Sequence, residues 1–161
     1  MIILGIDPGT ATTGYGVIEL LNGNLKLVDF GCILTKSNEK LEYRLEKIHQ
    51  ELNDLIKRFS PNEVVVEELF FTNNAKTAIA VGQARGVIIL TARMNNCPVF
   101  EYTPLQVKNA VCGYGGAEKS QVQKMVKLLL KLDIIPKPDD AADAVAIAIC
   151  HAHSRKINSL R

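Results

Sequence analysis

The chain has 161 residues, 47% apolar and 22% charged, which excludes disorder, collagen and coiled coil and matches one compact domain rather than two. Nineteen Lys and Arg against seventeen Asp and Glu leave a net charge of +2, too balanced to announce a nucleic-acid partner. The excess is local: residues 1–100 hold ten basic and eleven acidic side chains, residues 101–161 nine and six.

Ile2–Ile6 is a short apolar run closed by Asp7-Pro8-Gly9-Thr10, the pattern of a buried strand emptying into a turn. Gly14–Leu20 and Leu25–Leu34 are strand-like on either side of Asn22-Gly23-Asn24, so the first third reads as an antiparallel meander with a tight hairpin. Leu41, Leu45, Ile48, Leu52, Leu55 and Ile56 recur at helical spacing, predicting an amphipathic helix over Lys40–Phe59 that stops before Ser60-Pro61. Val64–Val66 gives a buried strand, Asn73 or Asn74 caps a helix to about Asn95, and Cys97–Tyr102 is another short strand. Pro104 opens a helical stretch to about Val111, which Gly113–Gly116 interrupts. Glu118–Leu132 and Ala141–His153 complete the chain as helices divided by Pro136-Lys137-Pro138. The order β-β-β-α-β-α-β-α-α predicts one layered α/β domain over residues 1–153, a mixed sheet with helices packed on it, then a short basic tail over 154–161.

Cys32, Cys97, Cys112 and Cys150 contain no Cys-x-x-Cys pair, so no zinc or disulfide framework is expected. Met1 leads straight into a run too short for a signal-peptide core, and no apolar stretch approaches the ~18 residues of a membrane span. The expectation is a reduced, cytoplasmic protein with no membrane partner.

Asp7 and Glu67 each follow an apolar strand, and ligands of open α/β sheets gather at the carboxyl ends of such strands. Asp140 and Asp143, three apart at the start of the last helix, face the same way. Carboxylates brought together repel one another and call for a cation; oxygen ligands without His or Cys suit Mg²⁺ or Mn²⁺ and the hydrolysis of a phosphodiester. The plainer alternatives are an Asp-Pro-Gly turn at Asp7 and a helix cap at Asp139 or Asp140. Strand alternation sends Glu67 and Glu68 to opposite faces, and local pattern does not choose between them.

Ile3-Leu-Gly-Ile-Asp-Pro-Gly-Thr10, Thr13-Gly-Tyr-Gly-Val17, Val66-Glu-Glu-Leu-Phe70, Gly82-Gln-Ala-Arg-Gly86, Ala117-Glu-Lys-Ser-Gln-Val122 and Asp140-Ala-Ala-Asp-Ala144 together resemble the RuvC family of bacterial Holliday junction resolvases, in the family's order and over almost the whole chain. The resemblance implies an RNase H-like fold, a mixed five-stranded sheet with helices on both faces. It also implies a homodimeric, Mg²⁺-dependent endodeoxyribonuclease with two ions per site, Mn²⁺ substituting. Such an enzyme nicks two strands of like polarity symmetrically at four-way junction DNA in recombination and repair, coupled to the RuvAB branch-migration complex. Its catalytic and metal-holding tetrad maps onto Asp7, Glu67, Asp140 and Asp143; the family's Glu-x-x-Phe stretch favours Glu67, three before Phe70, over Glu68. Asp7 would bridge the two ions, Glu67 and Asp143 would help hold them, and Asp140 would complete the set or orient water. DNA contacts map onto Lys108, Lys119 and Phe70, and Arg85 serves either DNA or the dimer interface. Without the family, the lysines read as solvated helix residues and Phe70 as a core aromatic.

Ala75, Ala78, Gly82 and Gly86 form a small-residue stripe whose default use is packing on the chain's own sheet, and in the family this region dimerises. Gly113–Ser120 is like a phosphate loop, but Glu118 stands where that motif needs glycine. An actin-like phosphate loop at Asp7–Thr10 would need a second domain. Cys150, His151 and His153 sit near a helix end and need no metal there. Two other readings stay open: a module that binds branched DNA without cutting it, and an RNase H-like nuclease acting on RNA.

Overall fold

The computed structural model describes residues 1–68 and 75–158, without the side chains of 75, 76 and 156–158. Five strands, β1 (Ile2–Asp7), β2 (Thr12–Leu21), β3 (Asn24–Leu34), β4 (Glu63–Glu67) and β5 (Val99–Tyr102), form one sheet in the order β3-β2-β1-β4-β5. β1, β2 and β3 are antiparallel neighbours, whereas β4 and β5 run parallel to β1. The expected hairpin is present: Asn22 and Gly23 both have positive φ, 51° and 80°, joining Leu21 to its partner Asn24 through the mirror-image turn that suits strand twist.

The helices are α1 (Leu41–Phe59), α2 (Ala75–Met94), α3 (Pro104–Cys112), α4 (Lys119–Leu129) and α5 (Asp139–Asn158). Three helices follow β5, one for each helical segment expected from Pro104, Glu118 and Ala141. A Thr103–Gln106 capping box with Pro104 in the first turn starts α3, Gly113 at φ 73° ends it, and a Glu118–Gln121 capping box starts α4. Glu118 is therefore a helix cap.

Strand alternation divides the core into two layers. Leu4, Ile6, Val17, Val64 and Val66 face α1 and α2, packing on Ile48, Leu52, Ile56, Ala84 and Ile88. Ile3, Ile18 and Val65 face the other way, onto α5 backed by α3 and α4. α5 is buried nearly all round, and its alanines (141, 142, 144, 146, 148 and 152) let it lie flat between sheet and helices. Helices thus cover both faces.

Several boundaries differ from expectation for local reasons. α4 stops at Leu129 because Lys131 turns left-handed at φ 54° and Leu132 N–H returns to the Lys127 carbonyl at 2.9 Å. Asn96, at φ 59°, does the same for α2: Cys97 N–H closes on Ala92 O at 3.0 Å, so β5 begins only at Val99. α5 begins at Asp139 and runs past His153 to Asn158, so residues 154–158, expected as tail, continue the helix. Arg155, one turn beyond His151, pairs with Glu63 at the start of β4.

Candidate active site

Asp7 ends β1 and Glu67 ends the parallel neighbour β4, so both carboxylates leave the sheet at one edge. Parity then fixes their direction. Asp7 shares the face of Ile3 and Gly5, and Glu67 that of Val65, the face covered by α5. Glu67, not Glu68, is the glutamate whose charge Asp7 feels.

The first turn of α5 is brought onto the same edge by a column of glycines. Gly5 pairs with Gly16 and Asp7 with Gly14 across β1 and β2. A Cβ on Gly5 would meet the Ala144 carbonyl oxygen at 2.3 Å, one on Gly14 the Asp140 carbonyl oxygen at 2.1 Å, and one on Gly16 the Val145 Cγ2 at 2.6 Å. The helix backbone rests on the strands where side chains are missing.

The electrostatics report the convergence. Burial first, then the charges of Glu67, Asp143 and Asp140, push the Asp7 carboxyl from 3.8 to about 8. Burial and Asp143 push Glu67 from 4.5 to about 7, against the pull of Lys108 and Lys119. Asp143 is also raised, chiefly by burial, while the Lys119 ammonium opposes that by donating to its Oδ2 at 2.8 Å. Lys119 is in turn held protonated, mainly by that bond.

Asp139, the acid before Asp140, is bonded to Lys137 Nζ at 2.6 Å and lies 3.9 Å from Lys119 Nζ, at the rim of the cluster. Both predicted lysines reach the site: Lys108 and Lys119, with Glu67 and Asp143, line a cavity of about 180 Å³ walled by Pro104, Val107, Val122 and Ala146. Arg85 does not. It reaches from α2 to Glu101 on β5, on the opposite face of the sheet, and its Nε is buried without a partner. Phe70 lies outside the described residues. Sequence reasoning missed Arg44, although its spacing from Ile48 and Leu52 puts a cation beside the apolar stripe of α1.

The donor set suits a hard divalent cation: acids in mutual repulsion, with oxygen as the ligating atom throughout. Among the described residues no group of three or more His, Cys, Asp or Glu side chains is placed to hold a metal ion by itself. The acids frame one open edge, where water or a phosphate oxygen can complete a ligand shell. The Cys150–His153 cluster is satisfied otherwise: His151 bonds Glu63 at 2.5 Å and the Tyr102 hydroxyl at 3.0 Å, and His153 bonds Ala110 O at 3.0 Å. Among the described residues no helix is long and apolar enough to cross a membrane.

Known proteins resemble the chain over nearly its whole length. It is 59% identical over 152 residues to a crossover junction endodeoxyribonuclease RuvC of Desulforamulus reducens, covering 94% of this chain and 93% of that protein. The RuvC structure of Thermus thermophilus superposes with a TM-score of 0.92 at 35% identity, covering 98% of this chain and 97% of that one. The same T. thermophilus protein bound to a Holliday junction substrate gives a TM-score of 0.90 at 33% identity, covering 99% and 98%. The fold is therefore RNase H-like, as the sequence implied. With the family model for crossover junction endodeoxyribonuclease RuvC matching residues 3–151, the chain belongs to the RuvC family.

Proposed function

We propose that this chain is a Holliday junction resolvase, a nuclease that binds four-way junction DNA and nicks two strands of like polarity symmetrically. The observation that carries the reading is the buried meeting of Asp7 and Glu67 with Asp143 and Asp140 at one sheet edge, with Lys108 and Lys119 beside them. In this reading the four acids hold two Mg²⁺ ions, or Mn²⁺ in their place. Such ions, when bound, activate water and stabilise the leaving oxygen of an in-line displacement. Asp7, on which the other three charges act, would hold the ions together with Glu67 and Asp143, and Asp140 would complete the set or orient the attacking water. Lys119 balances Asp143 until substrate arrives, then turns with Lys108 to the phosphate, where both steady developing charge. Phe70, following Glu67, stacks on a displaced base.

We infer one nuclease domain working in the cytoplasm as a homodimer, with RuvAB as the motor that delivers junctions. The outer face of α2 supports the dimer: Ile79, Leu90 and Met94 are 64%, 60% and 64% exposed, and a Cβ on Gly86 would meet nothing within 4 Å. The small-residue stripe is thus not spent on the chain's own sheet at Gly86. Arg85, paired with Glu101, belongs to the α2–β5 contact more than to the DNA path. Leu90→Glu is expected to convert a dimer to monomer in sedimentation and to unlink the two nicks; a variant that stays dimeric places the interface elsewhere.

The testing experiment is a denaturing-gel assay of labelled four-way junction, linear duplex and RNA–DNA hybrid, with Mg²⁺ or chelator. Paired symmetric nicks confined to the junction and abolished by chelator are expected. Cutting of the hybrid instead supports an RNA-directed nuclease, and binding without cutting a non-catalytic module.

A pH signature follows from the raised carboxyls. Because Asp7 in the fold protonates at about 8 rather than 3.8, and Glu67 at about 7 rather than 4.5, the folded state holds more protons than the unfolded state between those values. In chelator, stability therefore falls as pH rises from about 4 to 8. The melting temperature is expected to drop across that range, and Mg²⁺ to restore it more at pH 8 than at pH 5. A flat profile would show that the acids do not confront one another.

A further inference from the structure

The carboxylates stand between two cavities. Glu67 and Asp143 face the 180 Å³ cavity with its two lysines. Asp140 lines the other, a groove of about 540 Å³ between the Gly9–Thr12 turn, α1 and α2. Arg44 is the cation of that groove.

Arg44 is held and unspent. Its Nε donates to Thr35 Oγ1 at 2.8 Å, and the Thr35 hydroxyl donates to Thr10 O at 2.5 Å, so the guanidinium is tied to the turn that follows Asp7. Among the described residues Arg58, Arg85 and Arg155 pair with carboxylates and Arg93 bonds the Cys97 carbonyl, whereas Arg44 pairs with no acid. With Nε engaged and no acid paired among the described residues, the terminal donors of this rigid planar fork suit an oxyanion.

We propose that the Arg44 groove is the second half of the DNA path: it grips a backbone phosphate of the strand being cut, on the side of the scissile phosphate away from Lys108 and Lys119. This rests on the nuclease reading above. A strand crossing Asp7 must leave the acids in both directions, and each exit then carries cationic donors. Arg44 is a positioning residue; it orients the strand and offsets the repulsion between phosphate and Asp140.

The test is junction binding by fluorescence anisotropy in chelator over a salt series, with wild type, Arg44→Gln and Arg44→Lys. Gln removes the charge but keeps an N–H for Thr35. Arg44→Gln is expected to weaken binding about tenfold and to lower the salt slope by about one; Arg44→Lys restores the slope but only part of the affinity. A second measurement uses wild type alone: neutral methylphosphonates scanned along the strand should weaken binding on both sides of the cut. Wild-type affinity and slope in Arg44→Gln, or weaker binding at an unchanged slope, would overturn the proposal, as would a scan sensitive on one side only. Those results leave the nuclease reading intact if wild type still nicks the junction. A wild type that neither binds nor cuts junctions overturns both.

Discussion

Asp7→Asn is expected to abolish strand cutting while junction binding stays within a few-fold of wild type. Asn keeps the shape of the side chain but cannot carry the charge on which the cluster centres: Glu67, Asp143 and Asp140 all act on Asp7. If Asp7 holds catalytic cations, its loss removes several kcal/mol of transition-state stabilisation, and at about 1.4 kcal/mol per tenfold the rate falls at least about a thousandfold. Stability should move the other way. The fold already favours the neutral carboxyl at position 7, so an amide relieves repulsion and stabilises the chelated protein at pH 8 by on the order of 2–4 kcal/mol. Single-turnover gels and thermal melts on one preparation check both. A dead enzyme that melts higher excludes misfolding as the cause; an active Asp7→Asn enzyme would remove Asp7 from the mechanism.

Gly14→Ala is expected to damage both stability and cutting, although Gly14 touches no reacting atom. Its Cβ would lie 2.1 Å from the Asp140 carbonyl oxygen and 2.5 Å from the carbonyl carbon, and backbone cannot swing aside as a side-chain end can. The first turn of α5 must lift, taking Asp140 and Asp143 from the edge where Asp7 and Glu67 stay. Overpacking of this kind costs about 1–3 kcal/mol, and a displacement of about 1 Å at a catalytic group costs on the order of a hundredfold in rate. Melting temperature and single-turnover rate below the melt measure the two effects separately. A variant as stable and active as wild type would mean that α5 does not rest on this column.

How much was legible depends on the range of the interaction. The Asn22-Gly23 hairpin, the start of α3 at Pro104 and the acids at the ends of β1 and β4 follow from turn chemistry and apolar runs within a few residues. The end of α4 did not, because Lys131 takes up a left-handed position that glycine usually marks. Cys97, expected in a strand, spends its N–H closing α2.

The sequence by itself determined the alternation that puts Asp7 on the face of Ile3 and Gly5, and the helical spacing that keeps Asp140 and Asp143 together. Its familiar motifs also named the family before any fold was in view. Only the tertiary structure decided which face gathers the acids. Period two separates Glu67 from Glu68, but the choice falls to Glu67 because α5 lies over Val65 and over glycines 5, 14 and 16, positions far apart in the chain. The same long-range packing carries Lys108 and Lys119 to the acids, commits Arg85 to Glu101, and leaves Arg44 in a groove without an acid partner among the described residues. Local periodicity reports that a side chain has an inside and an outside; what waits on each side is set by the sum of contacts between distant segments.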